Sequence, residues 1–197
     1  MLETKHSAMA IHNLRNYMTC VMDMSNWDIV TFKNAVVTIN GSSPSLFNYV
    51  FMEDGCTNED ISEVVDFLKS RGVAATWPVD SYMKHNRELF SRNENLYQAS
   101  VPQKAFVDLK NYRFSSDFGK LPIVFEEVNS VDSLNRLDMS TSVIFKHEIG
   151  ILRTFLRGLE NGSNSNLKFF LVFLDGKNVG TCGLYFNDEV AGFYSDG

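Results

Sequence analysis

Four histidines are the side chains in this sequence best suited to acid, base or metal chemistry. His6, His12, His85 and His147 stand apart from Cys, Asp or Ser at any spacing typical of a metal site or a nucleophile–base pair. The three cysteines, Cys20, Cys56 and Cys182, are odd in number, widely separated and without metal-ligand spacing. They read as reduced thiols of an intracellular protein. The densest run of reactive groups is acidic: Glu53-Asp54-Gly55, then Glu59-Asp60. These four carboxylates gather around the start of a helix and would repel a phosphate. A net charge of −6 and a pI near 5.2 likewise argue against a nucleic-acid surface, which needs clustered Lys and Arg.

The elements that would position such groups follow from periodicity. Leu2, Met9, Ile11, Leu14, Met18, Val21 and Met22 recur at helical spacing, which predicts one amphipathic helix from Leu2 to Met24. Trp27 falls in a loop, Lys33–Ile39 and Leu46–Met52 read as strands, and Ser42–Ser45 is the loop between them. Thr57 with Asp60 is a variant capping box that opens a helix with Ile61, Val64, Val65 and Leu68 as its apolar stripe. Lys69 and Arg71 suit the negative end of that helix, and Gly72 supplies its stop. Val73–Val79 reads as a short buried strand and Ser81–Asn95 as a weak helix. Leu96–Ser100 and Gln103–Leu109 read as two further strands. The polar, turn-rich residues 111–122 suit a linker.

After it, Ile123–Val128 is strand-like, a short helix begins near Ser130 with Ser133–Leu137, and a longer one is expected over Val143–Leu159. Leu167–Leu174, the Asp175-Gly176-Lys177 turn, Asn178–Phe186 and Val190–Tyr194 then form a three-stranded meander. No apolar run approaches a bilayer span, and the polar start Met1-Leu-Glu-Thr-Lys-His6 lacks the apolar core of a signal peptide. A cytoplasmic protein is expected. With 44% apolar and 21% charged residues, the composition is that of an ordinary globular chain.

The wording of the meander, "LVFLDGKNVGTCGLYF" and then "VAGFYSDG", resembles the second, third and fourth strands of the GNAT acyltransferases. These enzymes move an acyl group from coenzyme A to an amine. The resemblance implies an α/β fold, GNAT-like, with a mixed and mostly antiparallel sheet flanked by helices. It implies a divergent N-terminal GNAT-like half over residues 1–110, carried more loosely by Arg71–Trp77. It also implies a C-terminal half over residues 123–197 whose order is strand, helix, helix, strand, strand, strand. The cofactor would be acetyl-CoA and the acceptor a small-molecule or peptide amine, with neither nucleic acid nor membrane as partner.

In that family the backbone of the fourth strand pairs with the pantetheine arm and polarises the thioester carbonyl. Here the resemblance assigns that role to Phe193, Tyr194, Ser195 and Asp196. It makes Glu189 a candidate to deprotonate the amine and Tyr194 a candidate to face the thioester cleft. A turn carboxylate is more often merely solvated, and a strand aromatic more often core, so both readings stay open. The next segment in the family is a V-x-P-x-x-R-x-x-G-x-G-like loop that grips the pyrophosphate at a helix N-terminus. None of the twelve glycines supplies that loop, since Arg157-Gly158 with Gly162 lies at the end of an expected helix. An acetyltransferase lacking its cofactor loop, and so inactive as it stands, is one expectation. A non-catalytic GNAT-like module for interaction or assembly is the other. The last strand is expected to leave an apolar edge, relieved within a monomer or by edge-to-edge pairing in a homodimer.

Overall fold

Val36-Val37-Thr38-Ile39 offers no polar alternation, and a strand of that composition has to be covered on both faces. The computed structural model shows this outcome. It describes residues 2–25, 27–40, 48–79, 83–96, 121–146, 150, 166–187 and 190–194. The chain divides into two compact units, Met1–Gln103 and Lys104–Gly197. Both are α/β, and each carries an antiparallel sheet with helices against it.

In the first unit, α1 (Leu2–Ser25) precedes β1 (Asp28–Thr31), β2 (Ala35–Ile39) and β3 (Tyr49–Met52), which lie side by side in that order. Helices α2 (Asn58–Arg71) and α3 (Lys84–Arg92) follow. Pairing of Ala35 with Met52 and of Val37 with Val50 puts these side chains on one face. There they pack with Ile61, Val64, Val65 and Leu68 of α2 in one core cluster. Helix α1 packs on β1 and β2 and buries Tyr17, Met18, Val21 and Met22 outside that cluster, so it covers the opposite face. Every residue of β2 is consequently buried.

The start of α2 matches its sequence. Thr57 Oγ1 accepts from the Asp60 amide at 3.3 Å, and the Asp60 carboxylate accepts from the Thr57 amide at 2.7 Å. Asn34 Nδ2 donates to the same carboxylate at 3.0 Å. These bonds hold Asp60 below the usual carboxylate range, the Thr57 amide contributing most. A carboxylate depressed in the folded state stabilises the fold above its unfolded value of about 3.9 and stops doing so as pH falls through the lower folded value. Thr57→Ala is therefore expected to lower stability by about 1 kcal/mol at pH 7. Asp60→Asn should shrink the loss of stability on going from pH 5 to pH 2, as pH falls below the unfolded value of about 3.9. Urea midpoints measured across that range check both, and an unchanged acid limb in Asp60→Asn would refute the second. At the other end Gly72 takes φ 66° and its N–H caps the Leu68 and Lys69 carbonyls, a left-handed position that glycine fills at little cost.

Three readings of this unit need correction. Lys33 and Asn34 form a turn rather than the first residues of a strand, and the hairpin partner before them, β1, is short and mostly exposed. Exposed Asp28 and Thr31 removed the apolar signal that would have marked it. Val73–Val79 is no buried strand: it touches the sheet through one parallel bridge, Tyr49 to Thr76, with its residues half-buried or exposed. The bridge rests on Val50 N donating to Thr76 O at 2.9 Å and Thr76 N donating to Asn48 O at 2.8 Å. The fully buried Asn48 side chain adds bonds to Asn40 N and Ala74 O, each at 2.9 Å. The strand read from Leu46 is observed over Tyr49–Met52. Of the two strands expected over 96–109, only Leu96 is described, in a turn whose N–H donates to Asn93 O. The remainder, with the loop Ser42–Ser45 and most of the linker, lies outside the described residues.

The second unit has β4 (Ile123–Glu127), α4 (Val131–Phe145), β5 (Leu167–Leu174), β6 (Lys177–Phe186) and β7 (Ala191–Tyr194). The four strands lie in chain order, all antiparallel. Asp175 at φ 50° and Gly176 at φ 75° make the tight turn between β5 and β6, with the positive φ pair that matches strand twist. Helix α4 opens on a Ser130–Ser133 capping box and is longer than the sequence indicates. Val143–Phe145 belong to it rather than to a new helix, because Lys146 at φ 54° ends it. The expected stripe of Ile149, Leu152, Phe155 and Leu156 lies outside the described residues. Helix α4 packs on β5 and β6, and Leu134, Leu137, Leu167, Phe169 and Leu171 are all buried at 2% exposure or less.

Candidate functional site

The meander end at β6 and β7 is where the sequence places its candidate residues. Gly183 pairs with Tyr194 and Leu184 with Phe193, so the two aromatics of β7 point to opposite faces. Tyr194 shares the face of Gly183 and is half-buried, whereas Phe193 projects on the other face at 69% exposure. Of the candidates, Glu189, Ser195 and Asp196 lie outside the described residues. Strand β7 is bonded to β6 along one side and is the terminal strand among those described. Alternate residues of an antiparallel edge strand turn N–H and C=O groups outward.

Gly183 sets the closeness of this packing. A Cβ there would stand 2.8 Å from the Tyr194 carbonyl oxygen and 2.9 Å from Cε1 of the Phe169 ring. Sequence reading passed over it, although a glycine inside an apolar strand is itself a signal of close approach. On the same face as Leu171, Glu126 of β4 receives a two-pronged contact from Arg136 of α4, whose Nε also donates to Asp132 at 3.2 Å. The Arg136 guanidinium holds the Glu126 carboxyl below its ordinary range. Both groups are partly open to solvent, so the clamp orients α4 on β4 more than it stabilises the fold. It is positional, with no reacting partner in view.

Cys56 and the start of α2 are closed to chemistry. Cys56 is fully buried, and burial, followed by the Asp60 and Asp54 charges, pushes its thiol up to about 11. A thiol so disposed is a poor nucleophile. Its carbonyl contacts His85 Nε2 at 3.0 Å. Among the described residues no disulfide joins the cysteines, and no three His, Cys, Asp or Glu side chains converge as a metal site. The N-terminus of α2 is closed by Thr57 and Asp60 and flanked by Glu59, so it does not fit a pyrophosphate. No described helix is long and apolar enough to cross a membrane.

Comparison with known proteins adds the following. No protein-family model matches the chain, and no curated protein matches it by sequence. Among solved structures it is similar to a GCN5-related N-acetyltransferase from Kribbella flavida, at 10% identity and a TM-score of 0.49, over 97% of this chain and 72% of that one. It is also similar to a functionally unknown conserved protein from Staphylococcus epidermidis, at 9% identity and a TM-score of 0.44, over 87% and 71%. Neither likeness assigns the chain to a family.

Proposed function

We propose that the second unit is the opening half of a GNAT-like acyltransferase fold, and that the chain derives from an N-acetyltransferase that acts on an amine. The observation supporting this is the side-by-side order of β4, β5, β6 and β7 in chain order, with α4 inserted after β4 and packed on one face. Acetyl-CoA, when bound, would supply an acyl group activated as a thioester. The contribution of the protein would be placement: the edge of β7, from Phe193 onward, would align the pantetheine arm. Backbone N–H groups beyond it would receive the developing negative charge on the thioester oxygen. Glu189 would take the proton from the amine, and Tyr194 would line the cleft. The rival reading is a non-catalytic module of the same fold. It is supported by α2, whose N-terminus is closed by its own side chains.

The sequence reading finds no glycine-rich loop opening a helix, so acetyl-CoA is expected to bind these 197 residues weakly. Calorimetry should find a dissociation constant well above the low micromolar range, that is, weaker than about −8 kcal/mol. Hydrogen exchange in acetyl-CoA at about 1 mM, worth some −4 kcal/mol at half-saturation, separates the two readings. Slowed exchange confined to the β7 amides supports the transferase. Unchanged exchange at β7 with the ligand present supports the non-catalytic module.

A further inference from the structure

Strand β4 differs from its neighbour β5 in being apolar and open on both faces. Val124 is 60% exposed on the face it shares with Glu126 and Leu171, where α4 packs, and Phe125 is 62% exposed on the other. Its outer edge is open as well. Val128 N donates to Phe169 O at 2.8 Å and Asp175 N to Pro122 O at 3.4 Å, so the even-numbered residues bond toward β5. The alternate residues, Phe125 and Glu127, then turn their backbone N–H and C=O outward, where they have no partner among the described residues. The carboxylates that would guard such an edge are occupied. Arg136 clamps Glu126, and Lys168 Nζ lies 3.1 Å from each oxygen of Glu127. Arg136 also marks the side of α4 that looks toward β4. Met139 and Val143, three and seven residues further along the helix, share that side and are 59% and 79% exposed.

We propose that β4 pairs edge to edge with β4 of a second copy of this chain, antiparallel about a two-fold axis through Phe125, joining the two sheets into one. This is the edge opposite β7. A two-fold contact needs a patch that complements itself. In this register Phe125 meets Phe125 of the second copy, Val124 meets Glu126 and Ile123 meets Glu127, so no carboxylate stands opposite another. An axis through Glu126 would set two carboxylates face to face. The same axis through Phe125 puts both α4 helices on one side of the joined sheet, and Val124, Met139 and Val143 of the two copies then line a single apolar trough. An unrelated extended peptide could bond the edge amides, but it would leave Met139 and Val143 in water. A second copy answers both features at once. The pairing does not depend on acyl transfer.

Sedimentation equilibrium of the 197-residue chain, from about 1 to about 100 µM, tests this. The expected result is a reversible monomer–dimer equilibrium with a dissociation constant of about 10 µM or tighter. Phe125→Lys places two like charges at the axis and should weaken the dimer about thirtyfold or more, the loss given by a central aromatic of an interface. Val143→Lys, at an exposed helix position, should weaken it about fivefold. Val179→Lys, at an apolar residue of β6 that is 55% exposed, should leave it unchanged. Hydrogen exchange at the Phe125 and Glu127 amides should slow as the dimer forms. If Phe125→Lys loses its far-UV circular dichroism, Val143→Lys carries the test. The proposal is overturned by a chain that stays monomeric throughout, or by a dimer that Val179→Lys weakens as much as Phe125→Lys and Val143→Lys do. It is equally overturned if both amides are already protected in the monomer, which would mean that another strand of the same chain covers the edge.

Discussion

Gly183→Val is expected to detach β7 from the sheet and to destabilise the second unit. The physical reason is that the new side chain would start 2.8 Å from a backbone oxygen, that of Tyr194, and 2.9 Å from the Phe169 ring. A flexible side chain could swing away, but a carbonyl paired in a β-ladder cannot move without breaking its strand. Phe169 is itself 1% exposed and surrounded by the core, so the ring has no free volume to retreat into. Overpacking of this kind costs about 1–3 kcal/mol for one added methyl, and valine adds three carbons. Gly183→Ala should therefore lower stability by about 2 kcal/mol, and Gly183→Val by more. Urea unfolding monitored by circular dichroism measures both, and hydrogen exchange at β7 reports the local loss. The pair Gly183→Ala with Phe169→Leu should lose less than the two single changes added together, because the leucine vacates the space the methyl needs. Strict additivity, or a Gly183→Val variant as stable as its parent, would sink this account.

Ile61→Ala is the corresponding prediction for the first unit. Ile61 is fully buried in the cluster that α2 forms with Val37, Val50 and Met52. Truncating a side chain so placed costs about 2–5 kcal/mol, the lost transfer energy plus the cavity left behind. Against a total stability of about 5–15 kcal/mol, that removes a large share of the margin. Glu63, two residues further along α2 and exposed, is the control. Glu63→Ala should change stability by less than about 0.5 kcal/mol. Equal effects of the two changes in thermal or urea unfolding would show that α2 does not pack as described.

Local sequence determined the elements whose cause is local. Thr57, Asp60 and Gly72 bound α2 because capping is a matter of bonds within three or four residues, and those bonds are the ones observed. Asp175-Gly176 determined the β5–β6 turn because only certain residues accept two successive positive φ angles without strain. The stripe Ile61, Val64, Val65 and Leu68 named the buried face of α2 in advance, since helical period translates directly into a face. The broad class, α/β with a mostly antiparallel sheet, came instead from the resemblance that the meander carries. Where pairing partners lie far along the chain, the sequence alone was a poorer guide. Val73–Val79 is apolar enough to read as a buried strand, yet among the described residues it meets the sheet at the Thr76 bridge alone. Strand β1 goes unmarked in the sequence reading, yet it is held in the sheet by β2, whose backbone needs a partner on that side. Nothing near Val143 marks it as the continuation of α4, a matter decided by packing on β5 and β6 and by the left-handed turn at Lys146. The same division holds at the candidate sites. The sequence singled out Tyr194 and Phe193, but only the register between β6 and β7 sends them to opposite faces, one half-buried and one exposed. The tight contact at Gly183, the Arg136 clamp on Glu126 and the outward edge of β4 exist only when residues distant in sequence meet. Their cause is tertiary, and no window along the chain contains it.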